Sequence, residues 1–219
     1  MARDRKPYLL AALATGTLWV LAWPATGSLT PLAFVAWVPL LWAADRYLRS
    51  SREDRPGDWL PTVYLSLILW NACTTFWLGL VEEPWGTRLI SGGFPMVANS
   101  ALMVLPWWIY RATHRRLGPR FAPAALVVSW LTFEHLHFDW DLQWPWLTLG
   151  NVFAVRTGWV QWYEWTGALG GSLWVWVVNL LVLKAVLAFQ LGRQGLARRT
   201  GLLALGSVLL PIVVSFAID

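Results

Sequence analysis

Residues 167–190 read GALGGSLWVWVVNLLVLKAVLAFQ, a run in which Lys184 is the only charged side chain. A helix needs about 17 to 25 mostly apolar residues to cross the hydrocarbon layer of a bilayer. The run therefore predicts a membrane-spanning α-helix. Six similar runs, each bounded by charge, Pro or Gly, predict further helices near 8–23, 31–48, 60–80, 94–110, 121–136 and 201–218.

Together these runs predict an all-α integral membrane protein with about seven transmembrane helices, in a single polytopic domain over residues 1–219. The composition agrees, since 57% of the residues are hydrophobic and 13% are charged, whereas soluble domains are about one quarter charged. A water-soluble enzyme, a disordered tail and a collagen-like fibre are poor matches. Cys73 is the only cysteine, so no intrachain disulfide or multi-cysteine metal site can form.

The basic residues predict how the chain is oriented. Of the 17 Lys and Arg residues, all but Arg88 and Arg156 fall in connections or near helix ends on one side of the predicted membrane. Short loops rich in Lys and Arg stay in the cytoplasm. We therefore expect a cytoplasmic amino terminus and a periplasmic carboxyl terminus at Asp219. The net charge of +5 is then an orientation signal, and we expect no nucleic-acid partner.

The long connection over residues 137–166 is rich in tryptophan, with six of the 19 Trp residues of the chain. Trp favours the membrane interface, where its ring is buried and its indole N–H stays near water. We expect this segment to lie on the outer leaflet or to dip into it. An ordinary aromatic belt would account for most other Trp residues, such as Trp19, Trp23, Trp37 and Trp42.

The densest group of ionisable side chains stands where the fifth predicted helix ends, and it consists of Glu134, His135, His137, Asp139 and Asp141. Two interpretations remain open. The residues cap a helix end at the interface, or they form a functional polar site, since ionisable groups near bilayer depth are costly. A metal site is less favoured, because the ligands of such sites usually come from separate elements. We predict no metal and no cofactor.

Polar and small residues within the apolar runs predict close helix packing. Asn71, Asn99 and Asn179 lie inside predicted helices, where hydrogen bonds between helices are the usual role of such residues. Gly167 and Gly171 have the spacing that lets two helices approach closely. Neither feature needs a catalytic explanation.

Two regions carry a family resemblance. The first reads LAWPATG at 21–27 and PLAFVAWVPLL at 31–41, and the second reads FEHLH at 133–137, QWPWLTLGN at 143–151 and QWYEWTG at 161–167. They resemble, in order, the opening helical hairpin and the outer-face region of the membrane part of bacterial apolipoprotein N-acyltransferases. In that family an Arg often stands three residues after the acidic residue, at the place of His137 here.

The resemblance implies an enzyme of the bacterial cytoplasmic membrane that matures lipoproteins. Such an enzyme moves an acyl chain from a membrane phospholipid, through a thioester, to the amino-terminal cysteine of a diacylglyceryl lipoprotein. The family's Glu, Lys and Cys triad lies in a nitrilase-like periplasmic domain after the seventh helix, and no residue here matches it. We therefore expect no catalytic residue in this chain, a separate nitrilase-like domain as its partner, and no acyl transfer by the chain alone.

The resemblance also implies an outer-face site for lipid or substrate, and the residues expected there are Glu134, His137, Pro145, Trp146, Gln161, Trp162, Tyr163 and Glu164. Two alternatives stay open. One is a non-catalytic descendant of the family that binds lipid or a partner. The other is a small transporter. This alternative is less favoured, because the interior helices lack the paired charges that ion coupling needs.

Overall fold

The computed structural model describes residues 4–50, 58–80, 82–141 and 143–218, and over these residues the chain is helical. The α-helices are α1 Lys6–Ala22, α2 Val38–Arg49, α3 Leu60–Thr75, α4 Trp85–Arg88, α5 Phe94–Leu102, α6 Val104–Leu117, α7 Ala122–Leu136, α8 Tyr163–Gln190 and α9 Gln194–Ile218. A π-helical turn at Leu89–Gly93 joins α4 to α5, so α4 to α6 form one helical stretch. The described residues thus contain the seven helices that the sequence predicts. Arg3, Arg52, Arg55 and Asp219, used in the orientation prediction, lie outside the described residues.

Among the described residues, four helical stretches are long and apolar enough to cross a membrane, and they are Leu60–Leu80, Trp85–Leu117, Tyr163–Gln190 and Gln194–Ile218. Lys6–Ala22 is a shorter apolar helix. The helices α2 and α7 have 12 and 15 residues, fewer than the roughly 20 that span a bilayer. The all-α prediction is confirmed, whereas seven crossings and their orientation stay predictions.

Several helix ends differ from the predicted ones for local reasons. α2 begins at Val38 rather than near residue 31, because Thr30–Phe34 forms a 3₁₀ turn. Asn179 of α8 binds the backbone of the segment before α2. Its Oδ1 accepts the Trp37 N–H at 2.9 Å, and its Nδ2 donates to the Ala33 carbonyl at 2.8 Å. The backbone donor at Trp37 is therefore satisfied by α8 instead of by a longer α2.

Tryptophan forms the centre of the core rather than an interfacial belt. Six Trp side chains are fully buried, and they are Trp19, Trp37, Trp70, Trp107, Trp130 and Trp176. Trp37 and Trp176 stack with ring centroids 5.2 Å apart and planes 2° apart. The belt interpretation is wrong for Trp19, Trp23 and Trp37, which are all buried. Flat aromatic rings attract one another beyond the area they bury, by about 0.5–1.5 kcal/mol per pair.

Most of these core indoles have no hydrogen-bond acceptor. Within the described residues, the N–H groups of Trp19, Trp37, Trp70, Trp107 and Trp176 are buried and make no hydrogen bond. Trp130 is different, because its Nε1 donates to the carboxylate of Glu134 at 2.8 Å. Trp130 is therefore the ring of this core that hydrogen-bonds to the ionisable group at the end of α7.

The helix bundle has two ends of different character. At one end, which we call the basic end, Arg111 binds Asp58 at 2.5 Å and so ties α6 to the start of α3. At the other, the loop end, described residues of the segment 137–162 pack on the helices, from Leu147 to Trp162. Gln161 N–H donates there to Ser215 Oγ of α9 at 2.6 Å.

Candidate functional site

Glu134 joins the end of α7 to the loop-end segment. Only 3% of its surface is exposed. Its Oε1 accepts the Trp130 N–H from one helical turn earlier at 2.8 Å and the backbone N–H of Leu149 at 2.8 Å. Because an acceptor from α7 satisfies a backbone donor of the loop, the contact fixes how the loop lies on the bundle. Glu134 is thus a loop-fixing residue and not a helix cap.

A second contact, beside the first, holds the same loop against α8. The Gly150 N–H donates to Ser172 Oγ at 3.0 Å, and the Tyr163 hydroxyl donates to the Gly150 carbonyl at 2.9 Å. A Cβ on Gly150 would overlap the Ala168 carbonyl, and one on Gly171 would overlap the Tyr163 hydroxyl. Glycine is required at both positions because the two backbones touch.

Gly167 and Gly171, near the start of α8, serve different purposes. Gly171 packs against the backbone of Gly150, at 3.0 Å from a built Cβ to the Gly150 Cα. Gly167 contacts nothing at that distance but has φ +60° and ψ −171°, a conformation essentially restricted to glycine. The packing interpretation therefore holds for Gly171, against a loop and not a second helix. Gly167 instead kinks α8.

His137 is sandwiched between two aromatic rings at the end of α7. Its ring centroid lies 4.0 Å from that of Phe133 and 4.8 Å from that of Trp140. Its Nδ1 lies 2.8 Å from the Phe133 carbonyl oxygen, which can only accept, so we assign the proton to Nδ1. Burial lowers the pKa of His137 below its usual value, although this hydrogen bond opposes the shift. His137 is therefore a neutral ring at pH 7 whose Nε2 is an acceptor.

Three buried polar atoms face a small void between α5, α7 and the loop. Asn99 Oδ1, Glu134 Oε2 and Trp144 Nε1 have no hydrogen-bond partner among the described residues. The Ser172 hydroxyl also faces the Glu134 carboxylate, but no hydrogen bond of good geometry joins it to Oε2. The void measures about 10 Å³, close to the room that one water requires. Two acceptors and one donor suit a water or hydroxyl, which can donate and accept.

A larger cavity of about 390 Å³ adjoins this void. The lining from α5 is mainly apolar, with Phe94, Ala98 and Leu102, while Asn99 is shared with the void. The lining from the end of α7 and the loop adds polar groups, with His137, Asp141, Gln143 and Trp144. A mainly apolar cavity with a few polar groups on one element matches an amphiphile better than a wholly polar solute.

Comparison with known proteins now identifies the family. Residues 15–181 match the family described as the apolipoprotein N-acyltransferase N-terminal domain. The chain belongs to this family. It is 31% identical over 180 residues to the apolipoprotein N-acyltransferase of Chlorobaculum tepidum, and the alignment covers 81% of this chain and 31% of that relative. The chain thus spans about a third of the relative's length. No solved structure matches it.

The match confirms the resemblance and covers the site. The matched residues 15–181 include Asn99, Glu134, His137 and the whole segment 137–162. With four long apolar helices, the chain is a multi-pass membrane protein. All of α9, Gln194–Ile218, lies beyond the matched residues.

The structure separates the residues that the sequence grouped in one site. Glu134 and His137 line the void, and His137 also lines the larger cavity. The remaining six expected residues line neither cavity, and they are Pro145, Trp146, Gln161, Trp162, Tyr163 and Glu164. Trp146 is 51% exposed and its ring lies 5.3 Å from that of Trp77. Glu164 is exposed in the first turn of α8.

The cavity also contains residues that sequence reasoning did not assign to a site. Asn99 was expected to bond between helices, and its Nδ2 does donate to Asn71 Oδ1 at 2.8 Å. Its Oδ1, however, has no hydrogen-bond partner among the described residues, and Trp144 lines the same void. No spacing in the sequence indicates that these two residues meet. Gln143 and Trp144 belong to the family motif at 143–151 and to the Trp-rich segment that is predicted to lie on the outer leaflet or to dip into it.

Proposed function

We propose that this chain is the membrane domain of an apolipoprotein N-acyltransferase and that it binds the phospholipid acyl donor at the loop end. The acyl chain then passes to the amino-terminal cysteine of a diacylglyceryl lipoprotein. Family membership supports the assignment. The distribution of Lys and Arg further supports a bacterial cytoplasmic membrane, with the amino terminus in the cytoplasm and the loop end in the periplasm.

The cavity of about 390 Å³ is the observation that carries this proposal. Phe94 and Leu102 offer an apolar wall for the acyl chain. Asp141 and Gln143 offer a carboxylate and an amide to a headgroup. Phosphatidylethanolamine suits this arrangement, because its ammonium can pair with the exposed Asp141 while its phosphate accepts from Gln143. Glu134 does not line this cavity, and its Oε1 is occupied by the loop.

We assign the acyl-transfer chemistry to a nitrilase-like partner domain that carries the Glu, Lys and Cys triad. Trp146 and Trp165, which are 51% and 70% exposed, give the loop end an aromatic surface that such a domain would cover. The chain described here then selects the donor and holds it at headgroup level. Single exposed aromatic side chains are normal on protein surfaces and do not by themselves indicate a bound protein domain. The cavity therefore supports the proposal, and this surface does not.

Lipid crosslinking tests the donor site. The purified chain is placed in nanodiscs with a phosphatidylethanolamine whose acyl chain carries a photoreactive diazirine, and labelled peptides are mapped. We expect labelling of α5 and of the peptide containing Trp144. Ala98→Trp fills the cavity and should reduce this labelling several-fold. Ala101→Trp, on the exposed face of the same helix, is the matched control. Equal labelling of both variants would overturn the proposal.

Cysteine labelling tests the orientation. In a Cys73→Ala background, a single cysteine replaces Glu164 at the loop end or Arg116 at the basic end, both exposed. An impermeant thiol reagent applied to intact cells with a permeable outer membrane should label the Glu164 position only. Preferential labelling at Arg116 would mean that the loop end faces the cytoplasm.

A further inference from the structure

A second and larger cavity lies at the basic end, away from the donor site. It measures about 630 Å³ and shares no lining residue with the loop-end cavity. Its floor is apolar and comes mostly from α8, with Val177, Leu180 and Leu187, joined by Leu196 of α9. The volume falls in the range of about 300–1,000 Å³ that accommodates small-molecule ligands.

The rim of this groove carries positive charge from four separate elements. Arg49 ends α2, Arg120 follows α6, Lys184 belongs to α8 and Arg193 follows α8. Asp45 is the acidic residue of the lining, and Arg49 binds it at 2.8 Å. Over the described ranges, no carboxylate lies within ion-pair distance of Arg120, Lys184 or Arg193.

Glycine turns bring two of these cations to the groove. α6 ends at Leu117 and is followed by Gly118 with φ +93°, after which Arg120 reaches the rim. α8 is followed by Gly192 with φ +70°, directly before Arg193. Both values lie in the left-handed region that favours glycine. The convergence of the cations therefore follows from how the chain reverses direction here.

We propose that this groove binds an anionic phospholipid, with the phosphate between Arg120, Lys184 and Arg193 and an acyl chain along the α8 floor. Three cations without a carboxylate partner favour a net negative headgroup over a zwitterionic one. The apolar floor favours a lipid over free phosphate, because phosphate alone would leave it exposed. The proposal requires only that the chain lies in a membrane, so it stands apart from the acyl-transfer function.

Such a lipid would hold the basic end together. The groove is walled by the end of α2, the α6–α7 turn, α8 and the start of α9. Among the described residues that line the groove, Asp45 is the one carboxylate, and Arg49 of the same helix binds it. A phosphate that bridges the α6–α7 turn, α8 and Arg193 supplies the missing acceptor. Binding should therefore raise the thermal stability of the chain, because the ligand binds the folded state.

The test uses the full chain in dodecyl maltoside, with phosphatidylglycerol, phosphatidylcholine or inorganic phosphate added. Binding is measured by native mass spectrometry and thermal unfolding. Of these three additions, we expect only phosphatidylglycerol to bind and to raise the Tm. The triple variant Arg120→Gln, Lys184→Gln and Arg193→Gln should bind it roughly a hundredfold more weakly, since each basic side chain at a membrane surface contributes about fivefold.

Two controls make the test specific. The variant Arg116→Gln, Arg198→Gln and Arg199→Gln removes the same charge from the basic end outside the groove and should bind normally. Leu181→Trp narrows the groove without changing charge and should weaken binding, whereas Leu173→Trp, exposed elsewhere on α8, should not. Equal loss in both triple variants, equal binding of phosphatidylcholine, or an equal effect of inorganic phosphate would each overturn the proposal.

Discussion

Replacement of Glu134 by Ala should loosen the loop-end segment at one identifiable amide. Glu134 Oε1 accepts the Leu149 N–H at 2.8 Å, and Leu149 is fully buried. With the carboxylate gone, this donor is buried without an acceptor, at a cost of about 1–3 kcal/mol. A value of about 2 kcal/mol, at 1.4 kcal/mol per factor of ten, corresponds to roughly 30-fold faster opening.

Hydrogen exchange in detergent or nanodiscs measures this opening directly, with peptides that resolve the Leu149 amide. Glu134→Gln keeps an oxygen that can accept both hydrogen bonds, so we expect its exchange to stay within about threefold of wild type. Glu164→Ala, at an exposed glutamate, makes the same substitution without this contact and should change nothing at Leu149. The reasoning fails if Glu134→Ala leaves the Leu149 amide as protected as in wild type, or if Glu134→Gln is equally disruptive.

Three further predictions concern the fold. Gly167→Ala should cost about 1–3 kcal/mol and lower the Tm, because φ +60° with ψ −171° is strained for alanine; Gly206→Ala, where a Cβ meets open space, should not lower it. Asn179→Ala should cost about 2–4 kcal/mol in thermal unfolding, since it strands two buried backbone groups, the Trp37 N–H among them; a loss below 0.5 kcal/mol would contradict this. Burial raises the pKa of Asp58, but hydrogen bonds from Arg111 and the Leu60 N–H outweigh it and hold the pKa below its usual value. The stability from Asp58 should thus be present above pH 4 and disappear as pH falls through the lowered pKa. A Tm difference between wild type and Asp58→Asn that grew in acid would refute this assignment.

The sequence predicted the helices because apolar run length is a property of composition alone. It could not predict where the tryptophans point. Trp19 and Trp37 lie in apolar runs that look the same whether the ring faces lipid, the interface or the core. In the fold, both rings meet Trp70 and belong to the core. A polar partner would have distinguished Trp130, but Glu134 lies four residues later in the same helix, and this spacing alone does not distinguish a hydrogen-bonded pair.

The candidate site was predictable in its chemistry and not in its geometry. Glu134 and His137 are ionisable residues near a predicted helix end, and for this reason the sequence predicts a polar site there. The partner of Glu134 is a backbone N–H at Leu149, and any residue type at position 149 except proline would supply it. No residue pattern therefore marks the contact. Similarly, Asn99 was predicted to bond between helices, yet the void beside its Oδ1 results from the meeting of α5 with Trp144.

The two cavities differ in the charge of the residues that line them, and this difference allows the two lipid assignments to be tested against each other. The loop-end cavity has Asp141 on its rim, whereas the basic-end groove has Arg120, Lys184 and Arg193. A lipid with an ammonium group suits the first cavity, and one with a net negative charge suits the second. Ala98→Trp should therefore reduce diazirine labelling by phosphatidylethanolamine and leave the phosphatidylglycerol-dependent rise in Tm unchanged. The groove triple variant should do the reverse. If either variant altered both readouts, the cavities would be energetically coupled and the assignment of one lipid class to each would be wrong.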